Sequence, residues 1–231
     1  MSTIRSTRYV LLPFVFILVI IVISNVRANE VHKSNVIRHT IEIELYLKEH
    51  RLKAVDHVLL PCTNAEKVSF FINKSFQILS VDASNRKLDF KTTSNGDGQR
   101  LEITIPSDLR QSDSVILDIA YEGCLFEKPI SQEKEDVGET TGVIDEEGVY
   151  LSPACAWYPD IPGSLAVFKI AITTPAGYEA VTQGTLVSKK SDTDKIYTTW
   201  EEKNVSEDCH LVAGRYKVTS IKHDGIDIYA Y

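Results

Sequence analysis

Residues 40–61 read TIEIELYLKEHRLKAVDHVLLP. Ile41, Ile43, Leu45 and Leu47 occupy every second position, with Glu42, Glu44 and Tyr46 between them. A two-residue period puts one set of side chains on each face of an extended chain, so this is a half-buried antiparallel strand. His50-Arg51 is the expected turn, and residues 52–60 return as a second strand that stops at Pro61.

The same pattern runs outward from this hairpin. Short apolar or alternating runs at 68–72, 76–81, 88–91, 101–105 and 115–121 predict further strands. Ser84-Asn85-Arg86-Lys87 reads as a turn and Asn95-Gly96-Asp97-Gly98 as a hairpin loop. Residues 165–173 (LAVFKIAIT) are apolar in both alternating sets, which predicts a central strand. Residues 175–178 are a Pro-x-Gly-Tyr turn, followed by short strands at 179–182, 185–188 and 196–201. Residues 211–221 and 226–231 read as a last hairpin around Asp224-Gly225. Only residues 127–148 break the rhythm. They are acidic, poor in aromatics and carry Gly138, Gly142 and Gly148, so a long exposed loop is expected. No heptad, repeat or helix is evident beyond the leader. The fold class is all-β, with curved antiparallel sheets in a saddle or β-sandwich.

Composition narrows the function. The chain has 231 residues, is 43% hydrophobic and carries a net charge of -7. That is enough apolar residue to bury a core. Arg5, Arg8 and Arg27 are the only charges in residues 1–28. Removing these three from 25 Lys+Arg leaves 22 against 32 Asp+Glu, or -10. No basic face is evident, which excludes nucleic acid as a partner.

The leader has a basic start, an apolar run at 9–23, and Val26 and Ala28 placed as a small-residue cleavage site. The run is shorter than the ~20 residues of a spanning helix. Residues 1–28 are therefore expected to be a signal peptide, with an uncleaved membrane anchor as the alternative. Residues 29–34 are a linker and residues 35–231 the β domain. The domain is expected to be exported: periplasmic, extracellular, or anchored and facing outward. Membrane contact would come only through the N-terminal segment.

Cys62, Cys124, Cys155 and Cys209 would then meet an oxidising compartment and are candidate disulfide partners, with three pairings open and buried free thiols as the alternative. The sequons at Asn73 and Asn204 matter only in a eukaryotic secretory host. The chain ends at Tyr229-Ala230-Tyr231, inside an alternating run, and a cut within a longer polypeptide is the expectation.

Catalytic motifs are missing. His32, His39, His50, His57, His210 and His223 include no H-E-x-x-H pair. There is no G-x-S-x-G elbow, and Cys209-His210 are neighbours that point to opposite faces of a strand. Trp157-Tyr158-Pro159-Asp160 is the one aromatic surface candidate. It can form an apolar wall for a ligand or a buried corner that staples the long loop to the sheet.

Taken in order, several segments resemble the N-terminal domain of the membrane alanyl aminopeptidase family of zinc metallopeptidases. They are the opening hairpin HTIEIELYLKEHRLKAVDHVLLP, LEITIP with VILDIAYEG, GVYLSPACAWYP, FKIAITTPAGYEAVTQG and TTWEEKNVSEDCHLVAGRYKV. The resemblance covers about residues 35–231. It implies a saddle of β-sheet packed on a thermolysin-like catalytic domain downstream in the same polypeptide. That domain would carry the zinc, the glutamate base and the G-x-M-E-N loop, so no cofactor is expected in this chain.

The resemblance also implies that this domain lends the active site one Gln or Glu for the substrate's α-amine. Counting back from Pro159, that place falls on Leu151, flanked by Tyr150 and Ser152, and the family's arginine falls on Cys155. Both departures imply altered specificity or a peptidase-like protein without activity. Tyr150, Leu151, Ser152, Trp157 and Tyr158 are the candidate cleft residues, and a peptide the candidate substrate. The chain alone is expected to be inactive. The alternative is a stand-alone exported β-sandwich that binds a partner or ligand.

Overall fold

The structure is a computed structural model that describes residues 36–61, 65–96, 98–127 and 140–230. The expected leader (1–28), the linker (29–34), Cys62 and most of the acidic loop lie outside these residues. The chain divides into two compact units, and the one described here is Ile37–Tyr231.

The strands follow in chain order. First come β1 (Ile37–Tyr46), β2 (Arg51–Pro61), β3 (Lys67–Asn73), β4 (Phe76–Ala83) and β5 (Arg86–Lys87). Then come β6 (Phe90–Asn95), β7 (Gly98–Thr104), β8 (Ser114–Cys124), β9 (Gly142–Ile144) and β10 (Val149–Leu151). The last are β11 (Ala166–Pro175), β12 (Glu179–Thr182), β13 (Thr185–Ser191), β14 (Lys195–Ser206), β15 (Leu211–Gly214), β16 (Thr219–His223) and β17 (Ile226–Ala230). The only helical turns among the described residues are short 3-10 pieces at Leu109–Gln111 and Pro153–Cys155. No described helix is long and apolar enough to cross a membrane.

An eight-stranded sheet has the order β13-β14-β11-β1-β2-β8-β4-β5. A four-stranded sheet, β12-β15-β10-β9, and a three-stranded sheet, β3-β7-β6, accompany it. Among the described strands pairing is antiparallel except between β1 and β11, which run parallel. The alternation in the sequence sets which face is inward. Ile41, Ile43 and Leu45 of β1, Leu52, Ala54 and Val58 of β2, and Leu117 and Ile119 of β8 are all buried. They share one continuous core with Phe70, Ile72, Leu101 and Ile103 of the three-stranded sheet. Ile144, Val149, Leu151, Leu211 and Ala213 of the four-stranded sheet join the same core. The fold is thus an all-β sandwich in which the small sheets cover one face of the large one.

Turn chemistry follows the sequence closely. Ser84 and Asn85 both take positive φ, as do Asp224 and Gly225, giving two tight hairpins. Gly177, at φ 87°, sits third in the Pro175–Tyr178 turn, where positive φ is required and a side chain would be strained.

Three expectations are corrected. Residues 142–144 are not loop: they form β9, which pairs with β10 across a short turn at 145–148 in which Asp145 and Gly148 exchange backbone hydrogen bonds. Glu127 secures this arrangement by accepting from the Thr141 and Gly142 amides at 2.6 and 3.1 Å. Residues 211–221 are not one strand, because β15 ends at Gly214 and pairs with β10 and β12, while β16 pairs separately with β17. And β11 is central in order but buried on one face only, since Ala166, Phe168, Ile170 and Ile172 are inward and the alternate residues are half-buried or exposed.

One polar pair lies inside the core. His39 Nδ1 and Asp56 Oδ2 are 2.7 Å apart, and both side chains are fully buried. A carboxylate only accepts, so the Nδ1 proton is donated to it. The imidazole stacks on Phe168 at 5.3 Å and meets the edge of Tyr158 at 5.4 Å. Removing one member of such a pair leaves an uncompensated buried group. We expect His39→Ala to lower unfolding free energy by about 3–5 kcal/mol in urea titration, because it strands the Asp56 carboxylate.

Candidate functional site

β10 decides what faces outward. In a strand successive side chains alternate, and Val149 and Leu151 both point into the core. Tyr150 therefore points out. Its register partners Val143 on β9 and Val212 on β15, with Val181 beyond on β12, form a half-buried apolar row across the outer face of the four-stranded sheet.

A cavity of about 610 Å³ opens beside this row. Phe126, Tyr150 and Tyr216 are its aromatic wall, Asp145 and Glu147 are its acidic rim, and Arg215 closes the other side. Local contacts hold these groups in place. His50 Nδ1 donates to the Ile144 carbonyl at 2.7 Å, lies 3.5 Å from Asp145, and packs its ring on Phe126 at 4.1 Å. The Arg215 guanidinium lies 4.9 Å over the Tyr178 ring, whose hydroxyl donates to the Glu146 carbonyl at 2.6 Å. Arg215 also borders a second hollow of about 450 Å³ lined by Glu44, Tyr46, Glu146 and Lys195. There the Lys195 ammonium bonded to Glu44 holds that carboxyl below the usual carboxylate range.

Of the five cleft candidates, one reaches the cavity: Tyr150. Leu151 and Trp157 are fully buried and Tyr158 nearly so. Ser152 is buried and donates its hydroxyl to the Thr141 carbonyl at 2.9 Å. The aromatic corner is thus a staple and not a wall. The Trp157 indole N–H donates to the Cys209 carbonyl at 3.0 Å. Phe126, Val143, Arg215 and Tyr216 were not visible from the sequence as site residues. Val143 and Ile144 between glycines was the available signal for β9, masked by the acidic residues around it.

Cys124, Cys155 and Cys209 are free thiols, and Cys62 lies outside the described residues. Burial pushes the Cys155 and Cys209 thiols up to about 12, so both are neutral at physiological pH. Gly142 packs against Cys155: a Cβ at residue 142 would lie 2.7 Å from that of Cys155, so only glycine fits.

Among the described residues no three His, Cys, Asp or Glu side chains gather as metal ligands. Three of the described histidines are engaged locally, His39 with Asp56, His50 with the Ile144 carbonyl and His57 with Asp118 at 2.6 Å. The described residues therefore do not fit a zinc ion.

No protein-family model matches the chain, and no curated protein matches it. Solved structures do match in fold. An M1 zinc metallopeptidase from Deinococcus radiodurans is 14% identical with a TM-score of 0.66, covering 81% of this chain and 43% of that one. A mutant of the same enzyme bound to a Tyr-Ser-Ala substrate gives 14%, 0.67, 84% and 46%. Yeast LTA4 hydrolase in complex with bestatin gives 14% identity, a TM-score of 0.56, 83% of this chain and 30% of that chain. The chain thus spans less than half the length of these structures and shares its fold with part of each.

Two outcomes are expected. Iodoacetamide at neutral pH should label Cys124, which is exposed, and spare Cys155 and Cys209 until denaturant is added, as read by peptide mapping. Burial raises the Asp160 carboxyl, with His39 opposing, so its charged form costs stability at neutral pH. Asp160→Asn should raise the urea midpoint at pH 7, and the gain should vanish on acidification below pH ~4, where the unfolded carboxyl is also protonated.

Proposed function

We propose that this chain is the non-catalytic β region of an exported zinc metallopeptidase of the M1 type. In this reading it packs on a catalytic domain in the same polypeptide and forms one wall of its substrate cleft. The observation that carries the reading is the shared fold over 81–84% of the chain with a zinc metallopeptidase about twice as long. In this reading zinc and the water-activating base belong to that catalytic domain.

The cavity beside Tyr150 is the surface that would meet a peptide. Its three rings suit an apolar side chain, and Asp145 and Glu147 suit an ammonium group. The resemblance places a Gln or Glu at Leu151, but Leu151 is buried, and the outward neighbour is Tyr150. A phenol is neutral and binds an amine more weakly than a carboxylate does. The reading therefore includes a peptide preference set by shape more than by the α-amine. The alternative is a free-standing exported binding module that uses the same cavity.

The purified 231-residue chain should release no amino acid from aminoacyl or short peptide substrates. Turnover that a chelator abolishes would sink the assignment of the zinc to another domain.

A further inference from the structure

Arg215 is the first residue after β15, and the sheet register fixes where it stands. β12 and β15 pair from Glu179↔Gly214 to Thr182↔Leu211, so Tyr178, one residue before β12, lies opposite Arg215. The Tyr178 ring is buried, and its hydroxyl is tied to the Glu146 carbonyl. The Arg215 guanidinium rests over that fixed ring. Arg215 itself is exposed and lines both hollows, so the two meet at this side chain. A Cβ at residue 214 would lie 2.8 Å from the Tyr216 ring, so Gly214 is what lets that ring close against the end of β15.

Arg51 shows what a satisfied arginine looks like in this fold. It too lies over a tyrosine, 4.1 Å from the Tyr46 ring, and it also pairs with Glu122 at 3.0 Å. No carboxylate of the described residues pairs with Arg215. The acids around the two hollows have other partners. Glu44 is bonded to Lys195, and Asp145 accepts from the Glu147 amide at 2.9 Å and lies 3.5 Å from His50. A ring face offers no oxygen lone pair, so the guanidinium N–H donors of Arg215 are left for a ligand. Their planar fork matches a carboxylate through two bonds at once. A side chain already held over a ring loses less freedom on binding than a loose one.

We propose that Arg215 is a specificity residue that receives a carboxylate of the bound peptide, with an apolar side chain of that peptide against Phe126, Tyr150 and Tyr216. This deepens the reading of the cavity as the surface that meets a peptide, and rests on it. Positive charge at Arg215 faces negative charge at Asp145 and Glu147 across an aromatic wall. That arrangement matches a ligand with an ammonium group, an apolar middle and a carboxylate. The ligand class is therefore a short peptide that carries a carboxylate. Its C-terminus and an acidic side chain offer the same chemistry to the guanidinium.

The test is calorimetric titration of the 231-residue chain with Leu-Phe, Leu-Phe-amide and Leu-Glu-amide. Leu-Phe should bind about tenfold more tightly than its amide. Arg215→Gln should make the two equal while the thermal midpoint stays unchanged, because the side chain is exposed. Arg215→Lys should keep part of the difference, since it retains the charge and loses the fork. Tighter binding of Leu-Glu-amide than of Leu-Phe, lost in Arg215→Gln, upholds the proposal and assigns the carboxylate to an acidic side chain. Equal binding of all three peptides overturns it, as does a preference for carboxylate that survives Arg215→Gln, or no binding by either carboxylate peptide. Leu-Phe and its amide differ only at the carboxylate, so the pair decides even if a variant fails to fold. Reading the source transcript past the codon for Tyr231 separates this inference from the peptidase reading. A stop there, with binding through Arg215, leaves the inference standing and defeats that reading. A continuation with H-E-x-x-H and no dependence on Arg215 does the reverse.

Discussion

Three sheets meet at the corner formed by residues 155–160, and the rest of the sandwich depends on that junction. The Trp157 indole reaches the carbonyl before β15, tying the corner to the four-stranded sheet. The Asn73 amide donates to the Ala156 carbonyl at 2.9 Å, and Phe71 and Asp160 exchange backbone bonds at 2.7 and 2.9 Å, tying it to the three-stranded sheet. Tyr158 packs edge-on against His39 and Phe168, tying it to the large sheet. Ala156, with φ at 50°, takes the left-handed turn that lets the chain double back here.

The buried His39–Asp56 pair belongs to the same junction. It holds the imidazole flat against Phe168, which gives Tyr158 a surface to meet. His39 Nε2, Asp56 Oδ1 and the Tyr121 hydroxyl have no partner among the described residues. Polar atoms left unmatched in a core cost stability. Burial also raises the Tyr121 phenol well above its ordinary range, with the Asp56 charge adding to it.

The candidate site is a by-product of how this core closes. Burying Val149 and Leu151 leaves Tyr150 outward, and the row it forms with Val143, Val212 and Val181 is apolar because both faces of this small sheet have work to do. Its inner face fills the core, and its outer face borders the cavity whose rings and charges come from β8–β9, β9–β10 and the residues after β15. Those segments are remote in sequence, so no local pattern groups them.

Much of the fold was legible in advance because side-chain alternation is a local property. The period in residues 40–47 places Ile41 and Ile43 inward whatever their partners are, and Gly177, Asn85 and Asp224-Gly225 mark turns through their own backbone preferences. Where local signals conflicted, the reading failed. The acidic composition around Gly142-Val143-Ile144 suggested solvent, yet β9 forms because β10 and the Glu127 carboxylate satisfy its backbone. The run at 211–221 looked continuous, but Gly214 ends β15 and the chain leaves the sheet. By itself the sequence determined strand faces, turn positions, the all-β class and the lack of an H-E-x-x-H motif. Only the tertiary structure decided that Trp157 and Tyr158 are interior, that Tyr150 and not Leu151 reaches the cavity, and that β16–β17 stands apart from the core. Those outcomes depend on which sheet covers which face, and contacts between residues far apart in the chain set that.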